Sequence, residues 1–183
     1  MNSTMNQITP ELAQCPLQTT TDQTIEFSSL YHGQSTLIFF VRHFGCIFCR
    51  ERVASLTHSL PLLASHQLRA AVIGNGPSYM AQGFVEELQL PFPVYCDPQG
   101  QAYTLAGMQR NFGLNLSSIK HALRSYRAGH RQKKIAGDIW QQGGVMAVNS
   151  TGRIIEIQAD QSAGDYIDIP ALVNRIVHSG LVD

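Results

Sequence analysis

The run STLIFFVR, Ser35 to Arg42, constrains the fold more than any other stretch of this chain. Its apolar residues do not alternate with polar ones, and they include β-branched and aromatic side chains. A strand with one face in water alternates; a continuous run reads as a strand buried in the middle of a sheet. Directly after it comes HFGCIFCRERV, in which Cys46 and Cys49 stand three apart. From Cys46 to about Ala64 the spacing predicts a helix, with Val53, Leu56, Leu60 and Leu63 on one face. A buried strand that runs through a cysteine pair into a helix is much more specific than the pair alone.

The rest of the chain repeats the alternation. Leu68 to Gly76 reads as a strand ending in glycines, and Pro77 suits the first turn of a helix over Ser78 to Leu88. Leu90 to Gly100 reads as a short strand closed by a turn, and Gly107 to Gln142 is less regular. Gly144 to Asn149 and Arg153 to Gln158 flank Ser150, Thr151 and Gly152 as an antiparallel hairpin. Ile169 to Leu181 closes the chain as an amphipathic helix. Near the start, Thr24 to Leu30 reads as a short edge strand. Strands alternating with helices predict an α/β fold, and the terminal hairpin predicts a mixed central sheet flanked by helices. Residues 1–22, rich in Thr, Gln and Asn, read as a loosely ordered extension, and residues 23–183 as a single domain.

The chain has 183 residues, 44% hydrophobic and 14% charged, which is a globular composition. Thirteen basic residues balance 13 acidic ones, so net charge gives no argument for nucleic acid or a membrane surface. No apolar run approaches the ~20 residues of a membrane span. The first residues lack the pattern of a secretory signal, which places the expected home in the cytoplasm. Thiols stay reduced there, so a close pair is more often catalytic or metal-binding than structural.

Three readings of Cys46 and Cys49 compete: a redox couple, a zinc clip and a buried packing pair. A cysteine in the first helical turn faces unpaired backbone N–H groups and the positive end of the helix dipole, both of which favour the thiolate. Its partner three residues on can donate a hydrogen bond to it and lies within reach of a disulfide. Arg42 and Arg50 would act in the same direction if turned inward. A zinc site needs four ligands, and Cys15, Cys96 and His43 form no second knuckle. Cys15, before Pro16, reads as a free thiol in a loose segment, and Cys96 as a core residue, although either could resolve a disulfide at a distance. His43 reads as a structural histidine at a strand end, with a role beside the thiolate or in passing a proton as the rival. Glu51 and Arg52 read as a solvated helix face. GNGPSYMAQG has Tyr79 where a dinucleotide fingerprint needs its third glycine, so no nucleotide cofactor is expected.

The strand, the cysteine pair and the helix resemble the thioredoxin fold. LPFPVYCDPQGQAYTLAG resembles the strand and turn of peroxiredoxins, the alkyl hydroperoxide reductase and thiol-specific antioxidant superfamily. VRHFGCIFCRE and GDIWQQGGVMAVNSTGRI are similar, more narrowly, to its peroxiredoxin-like group of the prostamide/prostaglandin F synthase type. The matching positions are Arg42, His43, Phe44, Cys46, Cys49, Gly137, Asp138, Gln141, Gln142, Gly143 and Gly144, and the resemblance runs from about Thr24 to Leu181. It implies a thioredoxin-like α/β fold and thiol-dependent reduction of a peroxide or disulfide, with Cys46 and Cys49 as the catalytic residues. Thioredoxin or glutathione would be the reductant, with no cofactor, and a homodimer is compatible with it. Two positions depart from the pattern. Cys46 stands where a typical peroxiredoxin has Thr, if Cys49 is the residue that attacks peroxide. Gly144 stands where a thioredoxin has its cis-proline. Which cysteine attacks first is therefore open.

Between Gln99 and Gly137 there is no Asp or Glu, while seven of the 13 basic residues fall there, Arg110 to Lys134. This basic insert, 107–137, precedes the C-terminal hairpin and reads either as a steering patch for an anionic substrate or acidic partner, or as a solvated loop.

Overall fold

A computed structural model describes residues 7–109, 140–161, 165 and 167–180. The expected strand is β3, Thr36–Val41, and each of its six residues is buried. Leu37, Phe39 and Val41 enter one apolar cluster and Ile38 and Phe40 another, so the strand feeds a core on each face of the sheet. It pairs in parallel with β4, Arg69–Gly74, and antiparallel with β6, Gly144–Val148.

Seven strands form one mixed sheet in the order β2-β1-β5-β4-β3-β6-β7. Here β1 is Pro16–Thr19, β2 Thr24–Glu26, β5 Val94–Cys96 and β7 Ile154–Ala159. One core lies under helices α2, Ile47–Ser65, and α3, Ser78–Leu88, together with the C-terminal helix Ile169–His178. The opposite core is covered by α1, Pro10–Ala13, the 3-10 turn Phe27–Leu30 and α4, Gln101–Leu105. The α/β class and the mixed sheet are as expected. The β6–β7 hairpin closes on Asn149, whose side-chain carbonyl accepts from the N–H groups of Thr151 and Arg153 at 3.2 and 2.8 Å.

The start of the chain differs from expectation. From residue 8 it is not loosely held: α1 is capped by Thr9, β1 pairs with both β2 and β5, and Ile8, Leu12, Cys15 and Leu17 are buried. The polar composition hides a segment whose few apolar residues all point into the second core. The edge strand expected over Thr24 to Leu30 is β2 for three residues and then turns helical, because Phe27 and Leu30 are drawn under the sheet. Helix α4 was not apparent in the sequence. The basic insert lies outside the described residues from 110 onward, as do Gly137 and Asp138.

Candidate active site

The thiol pair sits where β3 ends, between a parallel neighbour and an antiparallel one. Arg42 to Gly45 carry the chain from Val41 to α2, and Cys46 is the helix N-cap. Its backbone N–H donates to the His43 carbonyl at 3.1 Å, and its own carbonyl accepts from Arg50 at 3.0 Å. Cys49 follows in the first helical turn. The spacing therefore places the two thiols as the sequence led us to expect, although both are buried, with residue exposures of 2% and 5%.

Their environments split them. The Cys46 thiol is pulled down to about 6, chiefly by a hydrogen bond from the Cys49 thiol. Burial opposes this, while the N–H groups of Cys49 and Phe48 and the charge of Arg42 assist. Cys49 is pushed well above the ordinary thiol range by burial, by donating to Cys46 and by the charge on that sulfur. Cys46 is thus the ionised member at neutral pH. The other two cysteines are core residues: burial raises Cys15 to about 11 and Cys96 to about 12. Cys15 is a free thiol, as expected, but it does not lie in a loose segment: it is buried in the second core. Among the described residues no group of three His, Cys, Asp or Glu side chains could hold a metal ion.

The charges around the pair are arranged differently from the sequence reading. The charge of Arg42 does act on both thiols, favouring the thiolate. Arg50 is engaged elsewhere: it pairs with Glu87 at 2.7 Å and lies over the Phe84 ring, 5.6 Å from its centroid. Arg52, expected on a solvated face, is instead turned inward and bonded to the buried carboxylate of Asp160 at 2.9 Å. His43 is pushed down to about 4 by burial and the neighbouring Arg42 charge, so no imidazolium is available at neutral pH to hold the thiolate. Its Nδ1 is buried and has no hydrogen-bond partner among the described residues.

Further residues fix this geometry, among them some that the sequence offered only as positions of the resemblance. Phe44 packs its ring over Gly74, where a Cβ would lie 2.2 Å from a ring carbon, and against Phe84 at 5.4 Å between centroids. This contact fastens the loop before Cys46 to β4 and α3. On the opposite face the Tyr103 hydroxyl bridges the carbonyls of Val41 and Ile73, near the ends of β3 and β4. Tyr103 is held there by Asp97, whose carboxylate accepts from the N–H groups of Gln101, Ala102 and Tyr103 at 3.1, 2.7 and 3.4 Å. The Asp-Pro that follows β5 was the available signal for that cap. On the other side of β3, Gly143 and Gly144 allow close approach: a Cβ would lie 2.7 Å from the Phe40 carbonyl at the first and 2.5 Å from the Gln158 carbonyl at the second.

The architecture is that of a thioredoxin-fold peroxiredoxin. A cysteine-to-serine mutant of PrxQ from Xylella fastidiosa superposes with a TM-score of 0.69 at 12% identity, over 98% of this chain and 99% of that one, a likeness of fold. The chain belongs to the AhpC/TSA antioxidant enzyme family, whose model matches residues 55–159, more than half of the sequence. It is accordingly a peroxiredoxin-like thiol oxidoreductase. Among characterised proteins it is 27% identical over 164 residues to prostamide/prostaglandin F synthase from Aquarana catesbeiana, covering 85% of this chain and 81% of that one. It is 28% identical over 152 residues to the chloroplastic thioredoxin-like protein AAED1 of Arabidopsis thaliana. That match covers 77% of this chain but 61% of the plant protein. The family match begins beyond Cys49, so the roles of the two cysteines rest on their geometry.

Proposed function

We propose that this protein reduces a hydroperoxide or an endoperoxide through Cys46 and Cys49, and that a dithiol donor of the thioredoxin kind, or glutathione, recycles it. One observation carries the assignment. The Cys49 thiol donates to a Cys46 sulfur that the helix N-terminus and Arg42 already favour as an anion. With a hydroperoxide, the Cys46 thiolate attacks the terminal oxygen and the O–O bond breaks; the alkoxide leaves and takes up a proton, and Cys46 becomes a sulfenic acid, whereas with an endoperoxide the attacked oxygen stays on Cys46 as a sulfenate ester while the other oxygen takes up a proton. The Cys49 sulfur, losing its proton, then attacks the Cys46 sulfur and expels hydroxide as water, or the ester's alkoxide as the alcohol, forming the Cys46–Cys49 disulfide. Two electrons from the donor return both thiols. For a hydroperoxide ROOH the products are ROH and water.

The names of the relatives support this reading: one is a prostaglandin synthase and the other thioredoxin-like. We further propose that the chain acts as one domain, beginning at α1, in a compartment that keeps donors reduced, such as the cytoplasm. No helix among the described residues is long and apolar enough to cross a membrane. The test is rapid-mixing peroxide consumption by the wild type, Cys46→Ser and Cys49→Ser. Loss of the first turnover only in Cys46→Ser supports the assignment. Loss only in Cys49→Ser reverses the roles, and full consumption by both variants removes the pair from the chemistry.

A further inference from the structure

Arg52 and Asp160 form a buried ion pair directly behind the thiols. Their side chains are 9% and 4% exposed. Arg52 stands three residues after Cys49 on α2, which puts the two side chains on one side of the helix, with Cβ atoms ~5–6 Å apart. Val53, four residues after Cys49, is fully buried on the same side. The guanidinium grips Asp160 in a two-point pair: Nη1 donates to Oδ2 and Nη2 approaches Oδ1, each at 2.9 Å. Nη2 also donates to the Asp165 carbonyl at 2.6 Å. Asp160 is itself fixed, with its N–H on the Gly143 carbonyl at 2.9 Å and its carbonyl accepting from Gln142 Nε2 at 2.6 Å. At Gly143 a Cβ would lie 2.7 Å from Asp160 Oδ2, so the glycine leaves room for this carboxylate.

A buried pair is a weak source of stability, because desolvation cancels most of its attraction. This one costs the fold two buried charges beside the two cysteines at the start of α2. Resting on the disulfide cycle proposed above, we infer that Arg52 is a positioning residue for that cycle: its charge stabilises the thiolate the pair carries once the disulfide opens, first on Cys49 as it leaves and then on Cys46 in the reduced pair, and Asp160 limits that charge. In the step concerned, a donor thiolate attacks the Cys46 sulfur and the S–S bond breaks. Cys49 leaves with the bonding pair, and a second donor thiol then releases Cys46. The charge of Arg52 reaches both sulfurs, and Arg42 is the other cation acting on Cys49. Removing Arg52 therefore disfavours the reduced, thiolate-bearing state; removing Asp160 leaves the guanidinium unopposed and favours it.

The experiment equilibrates the full chain with reduced and oxidised dithiothreitol, quenches in acid, and measures the Cys46–Cys49 disulfide fraction by mass. Arg52→Leu is expected to shift the equilibrium about tenfold toward the disulfide, about 30 mV more negative. Asp160→Asn should shift it severalfold the other way, and Arg52→Lys should stay within threefold of the wild type. Circular dichroism verifies that each variant is folded. If Arg52→Leu does not fold, the double variant Arg52→Gln with Asp160→Asn, which keeps an amide hydrogen bond without charge, should still shift toward the disulfide. Folded variants whose equilibria all lie within twofold of the wild type, or single charge removals that shift the same way, overturn the inference. A wild-type chain that forms no Cys46–Cys49 bond overturns it together with the cycle on which it rests.

Discussion

The ionisation of Cys46 can be read in the intact protein without modifying a buried thiol. Thiolates absorb near 240 nm, and the structure separates the four cysteines along the pH axis. Cys46 is pulled down to about 6, while Cys15 and Cys96 are pushed up to about 11 and about 12, and Cys49 well upward. Tyr31, Tyr95 and Tyr103 are shifted upward by burial and stay neutral over the same range. Between pH 4 and 9 the titration should therefore show one thiolate, centred near 6. At pH 7 that thiol is about nine-tenths ionised, against about one part in a hundred for a thiol at 9. Cys46→Ser should abolish the step. Cys49→Ala, which removes the leading stabilising hydrogen bond, should move it upward.

The same ionisation contributes to folding. Because the folded value lies below the unfolded one of about 9, the stabilisation is complete above pH 9 and is lost as pH falls through 6. At pH 7 it is on the order of 1 kcal/mol, so the stability gap between wild type and Cys46→Ser should widen by roughly that much from pH 5 to 7. A step that appears only above pH 8, or that persists without Cys46, refutes the assignment of the thiolate.

Two further predictions concern the supports of the site. Tyr103→Phe deletes the hydroxyl between the Val41 and Ile73 carbonyls and should cost about 1–3 kcal/mol in urea unfolding, whereas a loss below about 0.5 kcal/mol would show that the bridge is not needed. Gly74→Ala places a methyl inside the Phe44 ring and should cost about 1–3 kcal/mol while raising the Cys46 midpoint; an unchanged midpoint would show that Phe44 does not set the loop.

The parts legible in the sequence were those written as contiguous pattern. Ser35 to Arg42 announced β3 because a strand buried on both faces has no polar alternation, and Cys46 was placed at the helix start by the apolar spacing that follows it. The hairpin from Gly144 was legible because Asn149 to Gly152 carry turn chemistry. What escaped notice depends on distant partners. Strand β1 has four residues, of which only Leu17 is buried, and it exists because β2 and β5 lie on either side of it. Arg52 looks like any surface arginine until Asp160, more than a hundred residues later, is brought behind α2. Gly74 and Phe44 are unremarkable apart and fit together only once β4 lies beside β3.

The claim on which the rest depends is that these two sulfurs bond to each other in turnover. One equivalent of hydroperoxide added to the reduced chain, followed by acid quench, alkylation and peptide mass mapping, reads it directly. The expected product is a single disulfide joining Cys46 and Cys49, with Cys15 and Cys96 alkylated only after unfolding. Peroxide consumed while Cys46 and Cys49 both remain free thiols, or a bond from either to Cys15 or Cys96 in their place, would contradict it.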